Sequence, residues 1–215
     1  MIISRGRRYI FVHIPKTGGT SLSLALEARA MRDDILIGDT PKALKRRARA
    51  KALQGSGRIW KHSRLADIQG LVSDAEMQEF FVLTLVRNPW DRMVSYYHWL
   101  REQSFDHTAV TLAKTRDFSD FLNSEDTQRS VKQAHYASYV TDNKGVDRCN
   151  LFARIEQLQS DLAPFKRHLG FAIGPIERMN SSPREDDYRG YFNDNDAALV
   201  ARICAADITR FGYAF

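Results

Sequence analysis

At 215 residues, with 43% hydrophobic and 27% charged side chains, the chain has the make-up of one folded domain with a sizeable core, which excludes a disordered or fibrous protein. Its formal net charge of +6 favours acidic ligands. No run approaches the ~20 apolar residues of a membrane-spanning helix, and the start Ile2-Ile3-Ser4-Arg5-Gly6-Arg7-Arg8 turns polar too soon for a secretory leader.

The first strong signal is the apolar run Tyr9-Ile10-Phe11-Val12, then His13-Ile14-Pro15-Lys16-Thr17-Gly18-Gly19-Thr20-Ser21-Leu22, then the helix-like Ser23 to Ala28. The order is strand, glycine loop, helix start. A helix start offers unpaired N–H groups and a positive dipole end to an anion. Gly18 and Gly19 are expected to supply positive φ and close backbone approach. Thr17, Thr20 and Ser21 add hydroxyls, and Lys16 adds charge. Lys16 precedes the glycine pair, so this is not a Walker A loop, and the dinucleotide fingerprint is missing too. The loop alone is equally a plain Gly-Gly turn with a hydroxyl cap.

Thr40 and Pro41 read as the cap and first residue of a basic helix through Lys42-Ala43-Leu44-Lys45-Arg46-Arg47-Ala48-Arg49-Ala50-Lys51. Its charges describe either a solvated face or a platform for an acidic acceptor or a phosphate. Aromatic residues do not interleave with the cations, so nucleic acid is not an expected partner. After the Gly55-Ser56-Gly57 loop, Arg58-Ile59-Trp60 reads as a short strand leading to Lys61-His62-Ser63.

Residues 80–86, Phe-Phe-Val-Leu-Thr-Leu-Val, form an apolar run suited to a strand buried on both faces. Asn88 then reads as an N-cap and Pro89 as the first helical residue. Arg87 falls at the carboxyl end of that strand, where open α/β sheets bind ligands. Trp90, Met93, Tyr97 and Leu100 repeat at helical spacing and should face the core, while Asp91, Ser95, His98 and Glu102 share another face. An Arg fork with a Ser hydroxyl makes a phosphate clamp. Residues 104–148 look helical and irregular. Asn150 to Glu156 reads as a strand and Gln157 to His168 as a helix. Asn180 to Asn195 reads as a loop over the site, and Asp196 to Arg210 as one amphipathic helix.

The two glycine- and arginine-centred motifs together resemble the nucleotide site of sulfotransferases that use PAPS (3′-phosphoadenosine 5′-phosphosulfate). Pro15 to Ser21 looks like the family's 5′-phosphosulfate loop, and Arg87-Asn88-Pro89 through Ser95 looks like its 3′-phosphate motif. Lys61-His62-Ser63 resembles the segment carrying the catalytic His in the carbohydrate 2-O-sulfotransferase branch. Phe152 to Leu158, Asn180-Ser181-Ser182, Tyr188, Tyr191 and Asp207 to Tyr213 resemble bacterial members. The likeness runs from about Tyr9 to Phe215. It implies a single sulfotransferase domain over 1–215, of α/β class. A three- to five-stranded, mostly parallel sheet would be flanked by helices in a P-loop-like nucleotide-binding architecture. It also implies transfer of a sulfuryl group from PAPS to an acceptor hydroxyl, on a carbohydrate, releasing PAP. The implied cofactor contacts are Lys16, Thr17, Gly18, Gly19, Thr20, Ser21, Arg87 and Ser95. With no membrane anchor in sight, a bacterial, cytoplasmic enzyme is expected.

An acceptor hydroxyl is a poor nucleophile and needs a base, for which His62 is the choice among six histidines. His98, one turn from Ser95, is next, and His13 is expected to orient the loop. Lys16 should stabilise charge on the leaving phosphate. No His/Cys/Asp cluster has metal-ligand spacing, so no metal is expected. Cys149 and Cys204 are expected as free thiols. Two other classes stay open: a kinase-like phosphotransferase, which needs a metal-binding Asp where Arg87 stands, and a non-enzymatic domain binding anionic polymers through residues 42–51.

Overall fold

The computed structural model describes residues 1–177 and 184–215. These fall into two units, Met1–Val86 with Tyr136–Met179, and Arg87–His135 with Asn180–Phe215.

The first unit is built on a five-stranded sheet. Its elements are β1 (Ile2–Ser4), β2 (Tyr9–Val12), α1 (Gly19–Glu27), β3 (Ile35–Leu36), α2 (Pro41–Lys45), α3 (Arg47–Lys51), α4 (Asp74–Glu79), β4 (Phe81–Val86) and β5 (Leu151–Arg154). The strand order is β3-β1-β2-β4-β5. β2, β4 and β5 pair in parallel, with Val12 opposite Thr84 and Val86 opposite Arg154. Their carboxyl ends therefore reach one edge of the sheet, the edge at which such sheets hold ligands. β2 is buried throughout, as is β4 beyond Phe81, which accounts for their unbroken apolar sequences. Thr84 is the polar exception, and its hydroxyl donates to the Val12 carbonyl at 2.8 Å. β1 and β3 extend the other edge antiparallel, with Ile2 lying between Phe11 and Leu36.

Leu22 and Leu26 of α1 pack on Phe11, Leu83 and Leu85 of the sheet. Phe165, on the helix Ala163–Leu169, sets its ring edge-on to Tyr9 with centroids 5.2 Å apart. The helix expected over 157–168 is two pieces, Leu158–Asp161 and Ala163–Leu169. Pro164 near the start of the second lacks the N–H that would continue the first. The basic helix also breaks, at Arg46, into α2 and α3. Its expected start holds, for Thr40 Oγ1 accepts from the Ala43 N–H at 3.3 Å and donates to the Glu27 carboxylate. Arg58-Ile59-Trp60 is loop rather than strand. The Ser63 hydroxyl occupies those backbone groups, reaching the Arg58 and Trp60 carbonyls and the Trp60 N–H within 2.9 Å.

The second unit is helical. α5 (Pro89–Arg101) begins as expected, with Asn88 Oδ1 accepting from the Trp90 N–H at 3.1 Å. Trp90, Met93, Tyr97 and Leu100 are buried in a cluster with Phe118, Phe121 and Leu199. Helices Thr108–Thr115, Phe118–Asn123 and Glu125–Gln133 fill much of the stretch expected to be helical and irregular. The single C-terminal helix expected over 196–210 is two, Asp194–Ile203 and Ala205–Phe211, hinged at Cys204. Of the loop expected over 180–195, Asn180 to Pro183 lie outside the described residues. The rest holds a short turn of helix, Tyr188–Tyr191. Among the described residues, no helix is long and apolar enough to cross a membrane.

Phe165 is fully buried against Tyr9 and Phe81. Phe165→Ala should lower the unfolding free energy by about 3–5 kcal/mol, measured by urea titration, because lost transfer energy and a cavity add.

Candidate active site

The loop after β2 is shaped by two backbone choices and one ring. Gly18 has φ +78 and stands at the N-cap of α1, a left-handed turn that suits glycine. Lys16 also has φ +65, which is rare for a residue with a Cβ and costs roughly 1–3 kcal/mol. Gly19 does not share that conformation, contrary to expectation. It is glycine for another reason: a Cβ there would lie 2.1 Å from Cδ2 of His13. His13 is buried, and burial holds its ring well below the usual histidine pKa, so it stays neutral. It braces the loop by filling the space of the missing side chain.

Thr17 is fully buried, and its hydroxyl donates to the Ile14 carbonyl at 2.9 Å. The expected hydroxyl donor to an anion is thus spent inside the loop, and any contact Thr17 makes to a ligand comes through its main chain. Thr20 and Ser21 occupy the first turn of α1 and are half-buried.

His62 joins this group. Its Nδ1 lies 2.7 Å from the His13 carbonyl oxygen, and the two rings meet edge to face at 4.7 Å. A carbonyl only accepts, so Nδ1 carries the proton and Nε2 is the basic nitrogen. Burial lowers the His62 pKa to about 4, against the opposing pull of that hydrogen bond. His62 is therefore neutral and able to take a proton at any pH above about 5. Beside it stands Trp60, 39% exposed, with ring centroids 5.1 Å apart and the Arg58 guanidinium 4.9 Å from the indole centroid. Sequence reasoning passed over Trp60, though a Trp two residues from a candidate base was the available signal. Lys61 pairs with Asp39.

The second motif lies in the helical unit. Arg87 Nε donates to Asp91 Oδ2 at 2.6 Å. The other oxygen of Asp91 accepts from Arg184 Nη2, also at 2.6 Å. One carboxylate thus holds two guanidiniums, and the trio keeps a net positive charge. The Arg184 side chain is only 7% exposed, and its Nη1 is buried without a hydrogen-bond partner. Such a donor is costly to leave unmet and marks a place for an anion. Arg184 was missed from sequence because nothing local distinguishes it; only the fold brings it to Asp91. Ser95, two turns along α5 from Arg87, is 6% exposed. His98 packs edge-on against Tyr97 and Tyr191, with Nε2 buried and unpartnered. Among the described residues, no group of three or more His, Cys, Asp or Glu could hold a metal ion.

A strand–glycine loop–helix turn at the carboxyl ends of the parallel strands, with a neutral imidazole beside it, has the chemistry to receive an anion and accept a proton. The chain belongs to the Sulfotransferase family, whose pattern matches residues 1–213. It is similar in fold to a crystal structure of mouse sulfotransferase SULT7A1 complexed with PAP, at 17% identity and a TM-score of 0.55, covering 96% of this chain and 85% of that one. Comparison with curated proteins finds no match.

The two loop glycines should fail differently. Gly19→Ala drives a methyl into the His13 ring and should cost about 1–3 kcal/mol and displace His62, seen as a shifted His62 ring resonance by NMR. Gly18→Ala meets only Ile155 Cγ2, at 3.5 Å, and should cost roughly 1–2 kcal/mol through its positive φ, leaving the His62 resonance in place.

Proposed function

We propose that this chain transfers a sulfuryl group from PAPS to a hydroxyl of a saccharide, releasing PAP, and that residues 1–215 act as one sulfotransferase domain. The observation that carries the reading is the loop: a left-handed Gly18, and a Gly19 whose missing Cβ leaves room for the ring of His13, the residue whose carbonyl also fixes His62. Such a cradle lets backbone N–H groups at the start of α1 close on a phosphate. The family membership and the likeness to a PAP-bound sulfotransferase support it. PAPS supplies the sulfuryl group. Lys16 and residues 17–21 would hold its 5′ end. Arg87 and Ser95 would hold the 3′-phosphate, and Arg184, with its unmet donor, joins them.

In this reading His62 Nε2 takes the proton from the acceptor hydroxyl while the His13 carbonyl keeps Nδ1 protonated. Lys16 places positive charge where the leaving phosphate gathers negative charge. Exposed Trp60, beside His62, supports a saccharide acceptor, since the apolar face of a pyranose stacks on an indole. Lys61-His62-Ser63 supports the carbohydrate 2-O branch. Cys149 and Cys204 are not joined in a disulfide, which suits a reducing cytoplasm. A kinase-like phosphotransferase is disfavoured by Arg87 standing where a metal-binding Asp is needed.

Calorimetry tests the nucleotide assignment. PAP should bind well over tenfold tighter than 5′-AMP without magnesium. Arg87→Ala and Arg184→Ala should each weaken PAP about tenfold or more, since one charge-assisted contact is worth about 1.5–3 kcal/mol, and should leave 5′-AMP unchanged. Equal affinity for PAP and 5′-AMP would sink the assignment.

The pH profile tests the base. A histidine lowered to about 4 is neutral across the working range, so kcat/KM should stay level from pH 8 to 6 and fall only toward pH 4. An acid limb at about 6.5 would show a base without the lowered pKa that burial gives His62. His62→Ala should keep PAP affinity and lose roughly 10²–10⁴ in kcat, whereas Lys16→Ala should lose both turnover and PAPS affinity.

A further inference from the structure

Residues 42–51 carry six cations, Lys42, Lys45, Arg46, Arg47, Arg49 and Lys51, and no acid. Three of these side chains are fixed in place by backbone oxygens rather than by carboxylates, Lys42 by the Glu27 carbonyl among them. Arg46 Nη1 donates to the carbonyls of Met31 and Asp34, at 2.8 and 3.0 Å, and Arg49 Nη1 donates to the Arg32 carbonyl at 2.8 Å. A carbonyl orients a guanidinium without cancelling its charge, and each keeps further N–H donors in its fork. Arg32, Lys45 and Ala48 complete the lining of a groove of about 240 Å³ that no carboxylate lines. The nearby acids are engaged or turned elsewhere. Asp34 is buried and takes the Met31 N–H and the Arg7 guanidinium, and Glu27 is buried under Thr40. Asp33 is exposed and lines no part of the groove.

We propose that this groove is an anion-binding exosite for a sulfated or carboxylated stretch of an oligosaccharide acceptor. The ligand class rests on the sulfotransferase reading; the anion site itself rests on the groove. Two cations held in place, Arg46 and Arg49, with Arg32 and Lys45 beside them, suit a sulfate or carboxylate. The volume is below the roughly 300–1,000 Å³ of a small-molecule pocket, which suits one charged sugar unit rather than a whole metabolite. No aromatic side chain lines it, so bases have nothing to stack on, and a saccharide is favoured over single-stranded nucleic acid. The groove is lined from residues beyond the end of α1, whose nine residues span about 14 Å from the glycine loop. An acceptor long enough to engage both gains effective concentration at the loop.

The test uses the double variant Arg32→Ala/Lys45→Ala, whose side chains make no hydrogen bond or ion pair among the described residues. A heparin-derived hexasaccharide is titrated by calorimetry at saturating PAP, which removes competition for the nucleotide site. The exosite requires at least a tenfold loss of hexasaccharide affinity with the melting temperature and PAP affinity unchanged. Unchanged hexasaccharide affinity would overturn it, as would a single-stranded DNA of equal charge binding more tightly than the hexasaccharide. Because PAP is titrated separately on the wild-type protein, failure of the nucleotide assignment shows there and not in the hexasaccharide arm.

Discussion

The backbone carbonyl of His13, held in place at the end of β2, is the point on which the rest of the candidate site depends. It accepts from His62 Nδ1 at 2.7 Å and thereby selects the tautomer that leaves Nε2 basic. The ring of the same residue fills the space a Gly19 side chain would need. One residue thus ties the candidate base to the phosphate loop from both its main chain and its side chain. The arrangement is rigid because His13 is buried and neutral, so neither interaction switches on or off near neutral pH. It also fixes the cost of the site: His62 is desolvated, which makes it a weaker base in exchange for being unprotonated and ready. In the proposed reading, proton removal from the hydroxyl would be driven by the charge that develops during transfer rather than by a strongly basic imidazole.

A second economy governs the helical unit. Asp91 is shared between Arg87 and Arg184, so two cations are positioned by one anion. A carboxylate for each arginine would give a neutral cluster with little to offer a phosphate. No carboxylate at all would leave two like charges repelling in a partly buried place. Sharing leaves one net positive charge and the unmet Nη1 of Arg184. A buried pair is poor evidence for stability, but an unsatisfied donor at its centre is a reason to look for a ligand.

What was legible in the sequence was what depends on short-range pattern. The parallel strands β2 and β4 announce themselves as apolar runs, and Asn88-Pro89 announces the start of α5 through local capping chemistry. β1 and β3 passed unread because three and two residues carry no periodicity, and only their pairing through Ile2 defines them. The breaks at Arg46, Leu162 and Cys204 were smoothed over because amphipathic spacing survives a short break in a helix. In the candidate site, tertiary contacts replace some of the reasons that local sequence suggests. Gly19 is glycine through a neighbour distant in space, not through its own φ, and the Thr17 hydroxyl turns to the Ile14 carbonyl. Arg184 was invisible because its partner lies 93 positions away. Local chemistry can nominate a residue, but which of its atoms remain available is decided by tertiary contacts.

The division of the chain carries a consequence for specificity. The loop, Lys16 and His62 lie in the sheet-based unit, whereas Arg87, Asp91, Ser95 and Arg184 lie in the helical one, the boundary falling between Val86 and Arg87. In the proposed reading the first set touches the group being transferred and the second touches a phosphate that does not react. Contacts to a non-reacting phosphate are made equally in the ground and transition states unless they are used to position the reacting end. Their natural effect is to discriminate nucleotides by affinity, whereas groups on the loop act on the rate. In that reading, selection for the 3′-phosphate and chemistry at the 5′ end would fall to different packed cores, each with its own hydrophobic cluster. A change in the core around Trp90 and Phe121 should therefore register first as altered nucleotide affinity, and a change around Phe11 and Leu83 as altered turnover.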